Sequence, residues 1–154
     1  MSYSNINIQI LTATLEHVEH VTDLFIKYRT FYKMPPDEVN SKKFLTDRIT
    51  NNESVIFLVK VNDNFAGFVQ LYPIFSSTRL QKHWLLNDLF VDENYRRLGL
   101  AEMLIERSKD LAKETNARGL ILETASDNNQ AQSLYLKTGF QKDNDHFYFH
   151  WDNE

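Results

Sequence analysis

The 154-residue chain has no cysteine. That excludes a disulfide framework, a thiol nucleophile and a thiolate metal site. Its four glycines and three prolines form no flexible linker or low-complexity run, and no internal repeat is visible, so one domain over residues 1–154 is expected. No apolar stretch approaches the roughly 20 residues that cross a bilayer. The polar start MSYSNINIQ is not a signal peptide, which makes the cytoplasm the expected location and a membrane partner unexpected. The net charge of −4 lacks the basic surplus of a nucleic-acid binder and suits a small cationic substrate. Aromatic residues are abundant, with 11 Phe and 7 Tyr, and a hydrophobic share of 42% stands beside 25% charged residues. This is the balance of a globular chain with a proper core.

The apolar periodicity orders the elements. Ile6, Ile8 and Ile10 alternate with polar residues as in a half-buried strand. Thr14 stands where it can cap a helix carrying Leu15, Val18, Val21, Leu24, Phe25 and Tyr28 on one face. Met34-Pro35-Pro36 ends it, and Asp37 starts a second helix with Val39, Phe44, Leu45 and Ile49. Residues 54–61 and 65–73 read as strands joined at Asn62-Asp63-Asn64, with a polar connection over 75–81. A strand over 85–91, a helix over 98–116, a strand over 120–124, a short helix after Asp127 or Asn128 and an aromatic strand over 145–151 complete the chain. A helix between two apolar strands calls for a right-handed parallel crossover, whereas the upstream hairpin is antiparallel. The predicted fold class is therefore α/β, with a mixed, mostly antiparallel sheet of six to seven strands flanked by about four helices.

The order turns on the junction between strand 85–91 and the following helix, Arg96-Arg97-Leu98-Gly99-Leu100-Ala101. Gly99 lets backbone approach a ligand closely. The helix start presents unpaired N–H groups and the positive dipole end, and Arg96 and Arg97 add charge. This is a pyrophosphate cradle built from backbone. It has neither the Gly-Lys-Ser/Thr ending of a Walker loop nor the Gly-x-Gly-x-x-Gly of a dinucleotide site.

Downstream lies a second constellation, Asn128-x-x-Ala131-x-x-Leu134-Tyr135-x-x-x-Gly139-Phe140. Together with Arg96-x-x-Gly99-x-Ala101, in this order, it resembles the two signatures of the GNAT superfamily of N-acetyltransferases, with the acyl-CoA N-acyltransferase fold. The stretches Leu71-Tyr72-Pro73 and Trp84-Leu85-Leu86-Asn87-Asp88-Leu89 look similar to the Hpa2-type and diamine acetyltransferases. The resemblance implies an acetyl-CoA-dependent N-acetyltransferase of class EC 2.3.1. It would move acetyl to a primary amine of a small cationic or amino-acid-like acceptor by direct attack in a ternary complex. It also implies that Leu89, Phe90 and Val91 offer backbone to the pantetheine arm and that residues Arg96, Arg97, Leu98, Gly99, Leu100 and Ala101 hold the pyrophosphate. Asn128 would hold the pantetheine from the other side, and Tyr135 would be the general acid at the departing sulfur. Packing alone is the alternative reading of Tyr135.

An alkylamine is mostly protonated at neutral pH, so something must accept its proton. Asn87 stands where diamine acetyltransferases carry Glu, and an amide is no base. Asp88 is one, and an apolar strand raises its pKa. A structural hydrogen-bonding role for Asp88 is the alternative. Strand alternation places Asn87 and Asp88 on opposite faces. By resemblance Tyr28, Arg29 and Tyr32 would form an acceptor wall, which makes Tyr28, Asn87 and Glu123 candidate substrate-binding residues, though packing against the second helix explains the two tyrosines equally well. Glu123 equally suits an ion pair with a lysine. His83 lies at a strand edge, where it is solvated or lines a cleft. The histidines lack metal-ligand spacing beyond His146 and His150, placed on the last strand, so no metal is expected. Phe147-Tyr148-Phe149 suits a homodimer seam. Two rival functions remain: a non-catalytic acyl-CoA-binding or sensing module, and a protein lysine or N-terminal acetyltransferase.

Overall fold

The computed structural model describes residues 5–154, which form two compact units, one ending at Glu123 and one spanning Thr124–Glu154. In the first unit, strands β1 (Ile8–Thr12), β2 (Val55–Val61), β3 (Asn64–Ser76), β4 (Gln81–Val91) and β5 (Leu120–Ile121) lie side by side in chain order. Neighbours from β1 to β4 are antiparallel, and β5 runs parallel to β4. The mixed, mostly antiparallel sheet follows the sequence expectation.

Helices α1 (Val18–Phe31) and α2 (Glu38–Thr50) precede β2, and α3 (Leu100–Glu114) makes the crossover from β4 to β5. Asp37 caps α2 by accepting the Asn40 N–H at 3.0 Å, as its sequence position predicts. Thr14 caps a single 3-10 turn, Leu15–His17, which leads directly into α1.

Alternation along the strands divides the core into two layers. Ile56 and Leu58 of β2 and Phe68 of β3 pack with Val21, Leu24, Phe25 and Leu45 of α1 and α2. Phe57 points the other way, with the Arg107 guanidinium of α3 stacked 4.4 Å above its ring. Leu100, Leu104, Ile105, Ser108, Leu111 and Ala112 form the buried stripe of α3. Each fully buried large apolar side chain stabilises by about 1.5–3 kcal/mol, so these two layers hold the sheet rigidly beneath the site. At Gly67 the backbone of β4 comes so close that an added Cβ would stand 2.6 Å from the Phe90 carbonyl oxygen.

The described residues contain five strands rather than six or seven. The expected strand over 145–151 does not form, so His146 and His150 lie on no strand. Asp143 instead organises a local turn, accepting from the Asp145 N–H at 2.8 Å and sitting 2.7 Å from His146 Nδ1. Phe147, Tyr148, Phe149 and Trp151 remain exposed. Aromatic content favours a strand only where a neighbouring strand and an apolar layer receive it. Strand β5 has two residues rather than five. Strands β3 and β4 run longer than predicted and shorten the expected 75–81 connection to a turn over 77–80, and α3 starts at Leu100 rather than Leu98. The second unit holds α4 (Asn129–Lys137).

Candidate active site

The site begins at an irregularity in β4. Gln70 pairs with Asp88 while Leu71 pairs with Leu86, which leaves Asn87 as the extra residue of a β-bulge. Strict alternation is thereby broken. The sequence expectation that Asn87 and Asp88 occupy opposite faces is corrected: Asn87 Nδ2 donates to Asp88 Oδ1 at 3.0 Å. Asn87 is exposed and Asp88 is 5% exposed.

Asp88 is surrounded by donors. Gln70 Nε2 donates to its Oδ2 at 2.7 Å, and the Tyr28 hydroxyl of α1 hydrogen-bonds the same carboxyl group. Burial raises the Asp88 pKa above the ordinary carboxylate value, against the opposing hydrogen bonds of Gln70, Tyr28 and Asn87. The neighbouring phenols respond to the same environment. Tyr28 is pushed up by burial, then by the Asp88 charge. Tyr72 of β3 rises to about 12, again by burial first and Asp88 second. Both stay neutral at physiological pH. The Tyr28 ring meets Tyr32 edge-on at 5.0 Å and Phe68 at 5.8 Å, so a wall of aromatic rings stands beside a buried carboxylate. Such a wall favours a cation.

Beyond Asp88, β4 loses its outer partner. Its pairing with β5 is confined to Trp84↔Leu120 and Leu85↔Ile121. On the inner side the Asp92 N–H donates to the Ala66 carbonyl at 2.8 Å. Bonded and non-bonded pairs alternate along an antiparallel ladder, so Phe90 and Asp88 direct their backbone groups to β3. Leu89 and Val91 therefore turn theirs toward the open edge. Of the three residues expected to offer backbone to an extended ligand, Leu89 and Val91 present theirs at the open edge, and those of Phe90 face the ladder.

The strand ends at Val91 and is followed by Asp92, whose carboxylate accepts from the Asn94 N–H at 3.0 Å and from Lys27 Nζ at 2.6 Å. These contacts, Lys27 foremost, hold its pKa below the ordinary value. The loop that follows contains two left-handed residues, Arg97 at φ 66° and Gly99 at φ 72°. Gly99 is the N-cap of α3 and offers no side chain, so the N–H groups of Leu100 and Ala101 at the helix start are open to a ligand. An added Cβ at Gly99 meets nothing within 4 Å, as at a cradle open to solvent. Arg96 and Arg97 are exposed beside it. Backbone donors and cations of this kind suit a pyrophosphate.

Tyr28, Asn87 and Asp88 are thus brought together, and the loop that carries Arg97 and Gly99 follows the same strand in the chain. Glu123 is exposed two residues past β5. In the second unit Asn128 spends its Oδ1 on capping α4, accepting from the Ala131 N–H at 3.1 Å, which leaves its amide N–H groups as donors. The Tyr135 ring packs edge-on to Phe140 at 5.7 Å. Gln70, Tyr72 and Ser54 escaped the sequence reading. A polar residue at an inward position of FAGFVQLYP was the available signal for Gln70. No group of three or more metal-ligating side chains occurs among the described residues.

A buried carboxylate beside an open strand edge and a backbone anion cradle defines the class: an acyltransferase of the α/β, acyl-CoA type. The Acetyltransferase (GNAT) family matches residues 18–140, and the chain belongs to that family. It is similar to the uncharacterized N-acetyltransferase YhfO of Bacillus subtilis, 40% identical over 123 residues, covering 80% of this chain and 83% of that one. The crystal structure of a probable acetyltransferase superposes with a TM-score of 0.90 at 40% identity, covering 95% and 98% of the two chains. The aminoglycoside N-acetyltransferase AAC(6')-Iy in complex with CoA shares the fold at 15% identity, with a TM-score of 0.82 and coverage of 98% and 99%.

Proposed function

We propose that the chain transfers acetyl from acetyl-CoA to a primary amine of a small cationic or amino-acid-like acceptor. Asp88 is the proposed general base. The observation that carries this reading is the Asp88 carboxylate itself, buried at the bulge, raised in pKa and walled by Tyr28 and Tyr72. Acetyl-CoA supplies the thioester carbonyl. The open edge at Leu89 and Val91, together with the N–H groups at the start of α3, fits its extended arm and pyrophosphate.

An ammonium group is drawn to the Asp88 carboxylate and the aromatic faces. Asp88 takes one of its protons, which frees the nitrogen lone pair. A C–N bond then forms at the carbonyl carbon, the nitrogen gives up its second proton to water, and the C–S bond breaks to release the thiolate. Outward N–H groups of β4 oppose the negative charge that develops on the carbonyl oxygen. On the strength of its motif, Tyr135 is proposed to return a proton to the sulfur, with Asn128 as a pantetheine contact. Asn87, Tyr28 and Glu123 are proposed acceptor contacts, and the cytoplasm, which supplies acetyl-CoA, is the proposed location. The exposed Phe147, Tyr148, Phe149 and Trp151 support a homodimer. Sedimentation equilibrium tests it, and a monomer at micromolar concentration refutes it.

The functional test is acetyl-CoA-dependent thiol release with spermidine, L-lysine, kanamycin and a lysine peptide, with Tyr135→Phe alongside. Turnover of a free amine above the peptide is expected, with at least a tenfold loss in the variant. Preference for the peptide refutes the small acceptor, and an unaffected variant removes Tyr135 as the acid.

A further inference from the structure

Gln70 has no exposed surface, yet it sits in a sheet face otherwise filled by Ile56, Leu58 and Phe68. A leucine would satisfy the packing there without desolvating an amide. The carboxamide is instead tied at both ends. Its Nε2 donates to Asp88 Oδ2 at 2.7 Å, and its Oε1 accepts from Ser54 Oγ at 2.9 Å. Ser54 stands just before β2, one strand away from Gln70 and two from Asp88.

We infer that Ser54 and Gln70 form a two-residue strut that fixes the orientation of Asp88 and sets its proton affinity, as positioning residues for the proposed base. The inference rests on the reading of Asp88 given above. A primary amide is ambiguous about which end it turns to a carboxylate. Turned the wrong way, Oε1 would face Oδ2 and repel it. The ionised Asp88 carboxylate only accepts, so it selects the N–H end of the amide, and the Ser54 hydroxyl holds the amide in that orientation by donating to Oε1. A hydrogen bond to the ionised form favours that form, and here it opposes the burial that drives the Asp88 pKa up. The strut keeps the base charged enough to take a proton while the aromatic wall keeps it dry.

The other polar and charged groups facing Asp88 are few. Tyr28 on α1 bonds it, with Tyr32 beside Tyr28. Tyr72 faces it from β3, with Arg48 and Glu53 placed against Tyr72. Asn87 adjoins it on β4. Arg29 of α1 is engaged with Ser41 at 3.2 Å. The Gln70 amide donates to Oδ2 and the Asn87 amide to Oδ1.

The test is a 13C NMR titration of the Asp88 side-chain carboxyl in the full chain, as wild type, Gln70→Leu and Ser54→Ala. Loss of a hydrogen bond to a charged group should raise the midpoint by about one to two pH units in Gln70→Leu. In Ser54→Ala the rise should be smaller and in the same direction. Because Ser54 lies at a strand start, its variant keeps the test available where Gln70→Leu does not fold. A midpoint that stays within about 0.2 units of wild type in the folded variants overturns the strut. The acid limb of kcat/KM with the best amine of the panel is read in parallel. A limb that moves with the midpoint supports both the strut and the base. A shifted midpoint with a stationary limb supports the strut and refutes Asp88 as the base.

Discussion

Asp88→Asn separates the chemistry of the site from its folding. The substitution is nearly isosteric and keeps a carbonyl oxygen for the Gln70 amide, while Asn87, being exposed, is free to turn its own amide to water. What disappears is the proton acceptor. General-base removal costs about 10²–10⁴-fold in rate, and kcat/KM at neutral pH should fall by that amount. Stability should behave differently. Burial raises the Asp88 pKa in the folded state, so the folded protein binds this proton more tightly than the unfolded chain does. The associated stabilisation is fully present below the unfolded-state pKa and is lost as pH rises through the folded-state pKa. Asparagine has no such titration. The melting temperature of the variant, measured against wild type by calorimetry from pH 4 to pH 8, should therefore rise relative to wild type with pH. A loss of activity under tenfold would refute the assignment of the base. Parallel melting curves across the pH range would refute the burial argument.

Wild-type kcat/KM should fall on the acid side as Asp88 takes up its proton, with a limb above the ordinary carboxylate range; a limb at the ordinary value removes burial as the cause of the shift. Gly67→Ala should destabilise by about 1–3 kcal/mol, because its Cβ would stand 2.6 Å from the Phe90 carbonyl oxygen on rigid backbone; urea unfolding reads it, and a change below about 0.5 kcal/mol shows that β4 gives way. Gly99→Val places a β-branched residue at φ 72°, with a strain of about 1–3 kcal/mol and a displaced helix start. CoA affinity by calorimetric titration should weaken at least tenfold, and unchanged affinity would mean that this cradle does not hold the pyrophosphate.

Much of the molecule was legible one residue at a time. The alternation of Ile6, Ile8 and Ile10, the three-and-four spacing along α3, Asp37 as a cap and Gly99 at a strand-to-helix turn are local signals. Each acts through neighbours within a few positions in the chain, so the helices and the order of the first four strands follow directly. The two spaced motifs identified the family for the same reason. Local signals misled where a long-range partner decides. The segment 145–151 has strand composition but forms no strand, and β5 pairs with β4 only at Trp84 and Leu85 and stops at two residues.

The sequence by itself determined most of the elements, the family and the presence of a carboxylate within an apolar strand. Only the tertiary structure decided what that carboxylate can do. The register slip that makes Asn87 a bulge depends on β3. Beyond its neighbour Asn87, Asp88 receives hydrogen bonds from Gln70, 18 residues away in the chain on β3, and from Tyr28 on α1. Proton affinity depends on burial and on such donors, and both are properties of packed surroundings rather than of neighbours in sequence.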